Sequence, residues 1–208
     1  MYGNAKMIRL LLAAGADLEY VNGRTWTSLS YLWDPEMPYH SGTMEILDIC
    51  FSNEFNGWRN ADRTGWAPIH RAAAFGAGPH IHKLCILGAT IDQETHFNHW
   101  NPLQCAARYG NMSTFISIAS QSPLLAARTV LNQVDTRGWG LLHLAAASGN
   151  EQMMALVVNM GADPKASSDP SSVLLPNALA NKKLTPDMIA DYYGHGQIYA
   201  QAVKAAGK

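Results

Sequence analysis

The residue types that hold metals or activate nucleophiles gather in the middle of the chain. His80-x-His82 and His96-x-x-His99 fall within about twenty residues, with Cys85 between them and Cys105 just beyond, a set of ligands that would satisfy zinc if it met at one point. The spacing keeps it apart. The first pair opens a helix and the second lies past that helix's far end, so roughly ten residues at 1.5 Å each hold the pairs about 15 Å from one another. Cys85 and Cys105 sit in apolar runs and read as buried free thiols. For nucleophilic chemistry there is no GxSxG, no Cys–His arrangement and no phosphate loop. Ser148 near His143 is a chance neighbour, Asp191 beside Tyr192 and Tyr193 reads as a solvated helix face, and "GHGQ" at 194–197 reads as a glycine turn. No catalytic residue, metal site or cofactor is expected.

What the sequence does repeat is tryptophan. Aligned on "GWAPIHRAAAFG" at 65–76 are "TWTSLSYLWD" at 25–34, "HWNPLQCAARYG" at 99–110, "GWGLLHLAAASG" at 138–149 and "KLTPDMIADYYG" at 183–194. Trp26, Trp66, Trp100 and Trp139 share one register, separated by 40, 34 and 39 residues. That is a unit of about 33 residues with insertions. A second apolar block follows each of the first four ("MEILDICF", "PHIHKLCILGA", "MSTFISIAS", "QMMALVVNMGAD"). Each unit therefore reads as turn, short helix, glycine turn, second helix, Gly-Ala and extended loop.

Composition sets the outer limits. The 208 residues are 48% apolar, enough for a substantial core, and the formal charge is -1, which leaves no excess of positive charge for phosphates. Nucleic acid is not an expected partner. The third cysteine, Cys50, also lies among apolar residues, so the three thiols point to a reducing compartment, cytoplasmic or nuclear. The apolar run "LLLAA" near the start is too short for a membrane span.

The repeated blocks resemble the ankyrin repeat family, whose pattern runs D-x-x-G-x-T-P-L-H-x-A-A-x-x-G followed by a helix ending L-L-x-x-G-A-D. The best copies run from Asp62 to Ala89 and from Asp135 to Asp163. The first keeps Gly65, Pro68, His70, Ala72, Ala73 and Gly76; the second keeps Gly138, His143, Ala145, Ala146, Gly149 and Gly161-Ala162-Asp163. "LLLAAGAD" at 10–17 looks like the closing half of another unit, which suggests a piece of a longer protein. The resemblance implies an all-α ankyrin-repeat solenoid of stacked helix-turn-helix units with hairpin loops. It forms a single domain over 1–208, with units at about 1–21 (partial), 22–61, 62–95, 96–134, 135–179 and 180–208. The family's capping Thr survives at Thr27 and Thr185, and Asn101 caps equally well. Ala67 and Gly140 lack a side-chain oxygen, so packing must hold those helices, against a lost cap of about 1 kcal/mol. Insertions fall at "PEMPYHS", at 123–134 and at 165–182.

The resemblance also implies what such a stack does: it is a non-catalytic module that binds a protein or peptide. The Trp register lies at the base of the hairpins, where stacking would line the rings along the concave edge. The expected partner-binding residues are Trp26, Trp66, Trp100 and Trp139, with Phe75, Arg108, Tyr109, Arg137, Tyr192 and Tyr193 on the same face. Two alternatives stay open. The rings could be mortar between hairpins, or they could line a small-molecule or enzyme-like pocket closed by the long insertions. A monomer is expected, with apolar residues 7–12 of the N-terminal half-unit exposed and open to a second copy.

Overall fold

The computed structural model describes residues 4–23, 25–36, 42–121, 133–168 and 182–207. Ten α-helices and two short 3-10 turns form there, and no strand forms among the described residues. In chain order the α-helices are α1 (Ala5–Ala13), α2 (Thr43–Ser52), α3 (Pro68–Phe75), α4 (Gly78–Ile86), α5 (Pro102–Arg108), α6 (Met112–Gln121), α7 (Leu141–Ser148), α8 (Glu151–Asn159), α9 (Pro186–Tyr192) and α10 (Gly196–Ala205). The 3-10 turns are Ser28–Trp33 and Gly57–Arg59. "TWTSLSYLWD", expected to start an ordinary first helix, winds into the tighter form instead, without a proline to open it.

The first helices α3, α5, α7 and α9 stack side by side, with the Ser28–Trp33 turn against α3 at one end of the row. Their contact faces are alanine: Ala72, Ala73, Ala106, Ala107, Ala145 and Ala146 are buried, which brings the backbones close. Behind them lie the second helices, α1 on α2, α2 on α4, α4 on α6 and α8 on α10. Larger side chains fill that layer, among them Phe115, Ile81, Leu84, Ile118, Met153 and Val157. On α1, Leu10 and Leu11 are exposed, whereas Ile8 and Leu12 pack against the core.

The helix starts depart from expectation. Thr27 and Thr185, the two retained threonines, make no capping bond; the Thr27 hydroxyl is buried with no partner among the described residues, and Thr185 turns to Asp187. The orphan amides of Ala67 and Gly140 are not left to packing. They donate to Nδ1 of His70 at 3.1 Å and of His143 at 3.2 Å. With Nδ1 an acceptor, the ring proton sits on Nε2, which reaches the Gln93 carbonyl at 2.8 Å in the first case and Leu184's at 3.1 Å in the second. Gln104 does the same with an amide: its Oε1 takes the Asn101 N–H at 3.0 Å and its Nε2 donates to the Gln133 carbonyl at 3.3 Å. Asn101 does cap, accepting from Gln104 N at 2.9 Å. One side chain thus satisfies its own helix start and holds the loop that leads to the next hairpin.

The far ends of the first helices are tied in a similar way. Asn111 donates to the carbonyls of Ala74 and Gly76, Thr114 to that of Ala73, and Asn150 to that of Gly110. Gly76 has no room for a side chain: a Cβ would lie 2.5 Å from the Ala72 oxygen and 2.9 Å from the Trp33 indole nitrogen.

Burial lowers the His70 pKa to about 4 and lowers those of His143 and His80 as well. A histidine with a lowered folded pKa takes up its proton more readily when unfolded, so stability is complete above about pH 6.5 and drains as pH falls toward 4. For His70 alone the loss approaches about 3 kcal/mol. His70→Gln, which copies Gln104, is expected to keep most of the stability at pH 7 and to flatten the decline between pH 6.5 and 4. His70→Leu should cost about 2–3 kcal/mol even at pH 7. Urea titrations across pH check both. In the same assay Ala72→Leu, at a fully buried helix contact, should cost roughly 1–3 kcal/mol or more, whereas Gln152→Lys on the exposed face of α8 should stay within about 0.5 kcal/mol.

Candidate functional site

The hairpins that carry the Trp residues are built by aspartate. Asp62 Oδ1 accepts from the backbone N–H groups of Thr64 (2.7 Å) and Trp66 (3.3 Å), and Gly65 closes the turn at φ 76°, where a Cβ would meet His96 at 2.8 Å. The other carboxylate oxygen, Oδ2, takes both Nε and Nη2 of Arg71. Arg71 and Asp62 are each 6% exposed, and the guanidinium carbon lies 4.2 Å from the centre of the Trp26 ring. Removing Asp62 would strand a buried cation.

The same arrangement recurs at Asp135. Its Oδ1 holds the N–H groups of Arg137 and Trp139, and its Oδ2 takes the Arg137 guanidinium and the indole N–H of Trp100 at 2.9 Å. The Arg137 guanidinium stacks 3.9 Å from Trp139 and 5.4 Å from Trp100. One aspartate therefore fastens its own turn and the Trp of the preceding hairpin. Backbone bonds His96 N to Gly65 O and Thr136 N to Asn98 O join successive hairpins as well.

Between the first three hairpins these rings leave a groove. Trp26, Trp66, Phe75, Trp100 and Tyr109 wall a cavity of about 440 Å³ that opens to solvent, and Arg71, Asp34 and Glu36 also line it. The walls meet steeply: Trp66 is tilted 71° to Trp100 at 6.3 Å and 80° to Tyr109 at 5.8 Å, while it stacks on Phe75 at 14°. Edge-to-face contact of this kind fixes rings that would otherwise rotate. Beyond Tyr109, the Arg108 guanidinium lies 5.7 Å from that ring and 5.4 Å from Tyr193, which is in turn perpendicular to Tyr192.

Of the ten residues expected on a binding face, the groove brings together Trp26, Trp66, Phe75, Trp100 and Tyr109. Arg108, Tyr192 and Tyr193 form a second cluster that Arg108 joins to Tyr109. Trp139 and Arg137 stand apart. Trp139 is 1% exposed and has no face to offer, so the expected row of four rings ends at Trp100, itself 5% exposed. Asp135 draws them in by two routes: it accepts the Trp100 indole N–H directly, and it holds the Trp139 backbone N–H together with the Arg137 guanidinium that stacks on the Trp139 ring. Asp34, Glu36 and Arg71 join the groove from outside the expected set. Arg71 carries a signal in the sequence, as an isolated charge in the alanine-rich first helix nine residues after Asp62, whereas nothing in the pattern marks Asp34 or Glu36.

The histidines and cysteines go elsewhere. His80 Nδ1 accepts from the Trp33 indole at 3.1 Å and from Ala77 N at 3.0 Å, inside the core, while His99 faces Glu94 on the surface. Among the described residues no three His, Cys, Asp or Glu side chains form a metal-binding group. Burial pushes the Cys50 thiol up to about 12 and raises those of Cys85 and Cys105, which keeps them protonated and poor nucleophiles. Cys85 is only half-buried, contrary to its expected place in the core. The insertions at 35–41, 123–134 and 165–182 lie largely outside the described residues; of their described positions, Pro35 and Glu36 line the groove. Among the described residues no helix is long and apolar enough to cross a membrane.

Residues 69–168 match the family described as ankyrin repeats (3 copies). Among curated proteins, 160 residues are 28% identical to transient receptor potential cation channel subfamily A member 1 of Homo sapiens, covering 75% of this chain and 13% of the channel. A stretch of 118 residues is 30% identical to alpha-latrotoxin-Lh1a of Latrodectus hasselti, covering 56% of this chain and 8% of the toxin. The chain thus spans only about a tenth of the length of these relatives. A solved structure of similar fold is that of the Bd0816 predatory endopeptidase from Bdellovibrio bacteriovorus in complex with immunity protein Bd3460. One of its chains aligns with a TM-score of 0.67 at 18% identity, over 98% of this chain and 93% of that one. Ankyrin repeats are in general protein–protein interaction modules and typically non-catalytic. Three matched copies place residues 69–168 in the ankyrin repeat family, and the stack of Ala-faced helix pairs joined by Asp-closed hairpins is the helical solenoid expected of such repeats.

Proposed function

We propose that this chain is a non-catalytic protein-binding module that takes a peptide segment of its partner along the groove between the first three hairpins. One observation carries the reading: aromatic side chains from three successive units converge on an opening of about 440 Å³ whose walls are already fixed by ring–ring contacts. Rigid, half-exposed aromatics lose little entropy on binding, and Trp, Tyr and Arg are the side chains that most often dominate interface energies. The Arg108–Tyr193–Tyr192 cluster extends the same face and would lengthen the contact.

The volume would also admit a small ligand. The opening argues for a peptide, since no described part of the chain encloses the cavity. The complex of the predatory endopeptidase with an immunity protein is an instance of a protein partner in a structure of this fold. The inward-drawn Trp139, by contrast, is mortar.

The two roles separate by experiment. Trp139→Ala should lower stability by about 3–5 kcal/mol, because a buried indole leaves a cavity. Tyr109→Ala, at a ring 44% exposed, should cost far less stability yet weaken binding about thirtyfold if it is a hot spot. Peptides selected from a random phage-displayed library against the intact chain provide the probe. They should bind the wild type and lose affinity for Trp66→Ala and Tyr109→Ala variants whose far-ultraviolet spectra are unchanged. Peptides that bind these variants as tightly as the wild type would move the binding surface away from the groove.

A further inference from the structure

The chain builds one device twice, and the first copy forms a wall of the groove. At Asp62–Arg71–Trp26 and at Asp135–Arg137–Trp139 a carboxylate grips a guanidinium whose flat face lies on an indole, 4.2 Å and 3.9 Å from the ring centre. At the other walls Trp66 and two carboxylates stand without a described guanidinium to join them: that of Arg71 serves Asp62 and Trp26, and that of Arg137 serves Asp135 and lies on Trp139 and Trp100. The two carboxylates are those of Asp34 and Glu36, which line the same cavity. Neither carboxylate forms an ion pair among the described residues; Asp34 Oδ1 accepts the Glu36 amide at 3.0 Å, which orders the turn and leaves its second oxygen to solvent contact. The described cation of the lining, Arg71, is already committed to Asp62.

We infer that the groove selects a partner segment carrying an arginine, whose guanidinium stacks within the Trp66–Trp100–Tyr109 walls and pairs with Asp34 and Glu36. This rests on the peptide-binding reading above and names the side chain that reading leaves open. The physical grounds are charge complementarity and ring geometry. Among the described residues the lining holds two carboxylates without an ion pair and one neutralised cation, which gives it a net negative charge, and indole faces attract cations most strongly among the aromatics. A planar guanidinium suits this site better than an ammonium, because it stacks on a ring and engages carboxylate oxygens side-on at once. Lysine would satisfy the charge without the stack, and a neutral apolar side chain would leave both carboxylates beside an unpaired apolar surface.

The test uses three short synthetic probes on the intact chain: an acetylated, amidated Gly-Ser-Arg-Ser-Gly pentapeptide, its lysine version, and its citrulline version, which keeps the shape of arginine and removes the charge. Indole N–H signals, assigned through single Trp→Phe variants, report binding in nitrogen–proton correlation spectra. The arginine peptide should shift the Trp66 signal saturably. Lysine should bind a few-fold more weakly and citrulline at least about tenfold more weakly. In the Asp34→Asn/Glu36→Gln double variant the side-chain amide introduced at position 34 still offers an oxygen to the turn. That variant should retain the wild-type spectrum elsewhere, and should weaken the arginine peptide roughly tenfold while leaving citrulline unchanged. Added salt should erode the arginine preference. Equal binding of arginine and citrulline, or no saturable shift with the arginine peptide up to about 10 mM, overturns the assignment. Library-selected peptides that depend on Trp66 but show no such preference would leave the groove as the binding surface and remove only the arginine; independence of Trp66 as well would remove both.

Discussion

A single side chain at the third position of three first helices, α3, α5 and α7, ties each helix to the unit that follows. An imidazole or a primary amide there has an acceptor and a donor set apart at a fixed distance. His70, Gln104 and His143 spend the acceptor on the amide that starts their own helix and the donor on a carbonyl of the loop ahead. Without it, two buried backbone groups per unit would be left unpaired at about 1–3 kcal/mol each, a large share of the stability of a short repeat. Everything that positions the groove follows from that bridge: it fixes where each loop leaves the helix layer, and so where the next Asp-closed hairpin begins.

The aspartates then convert a stack of helices into a stack of rings. Asp62 and Asp135 each order a turn with one oxygen and hold a guanidinium with the other, and Asp135 adds the indole of the hairpin before it. Burying such charges is costly in itself, and the desolvation offsets much of the attraction within each pair. What they provide is placement. Trp100 and Trp139 are pinned inward, while Trp66, tied by no carboxylate in the described contacts, remains half-exposed and forms a wall of the groove.

Much of this is legible in the sequence, and the illegible part has a physical reason. Gly-x-x-Pro-x-His spacing and paired alanines mark the helix pairs, because helix starts and close helix contacts depend on residue type within a few positions. The register of Trp26, Trp66 and Trp100 identifies three of the groove's walls. Depth is not readable: whether a Trp faces solvent or core depends on Asp135, 35 residues after Trp100. The caps show the same limit. Ala67 and Gly140 read as uncapped because a cap is expected on the N-cap side chain itself, and the partner is a histidine three residues on. Asp34 and Glu36 reach the groove only because the Ser28–Trp33 turn packs beside α3, a tertiary fact with no local signature.

Gln133 has a wider consequence for how such a chain can change. Its side chain is held by Glu94 and Asn101 and its carbonyl by Gln104, so the stretch that begins after Gln121 returns to a fixed anchorage before Asp135 closes the next hairpin. One residue thus satisfies partners at three positions, so a change at Gln133 is felt at Glu94, Asn101 and Gln104 together. Substitutions within such a network are not additive, and these four positions are free to drift only as a set.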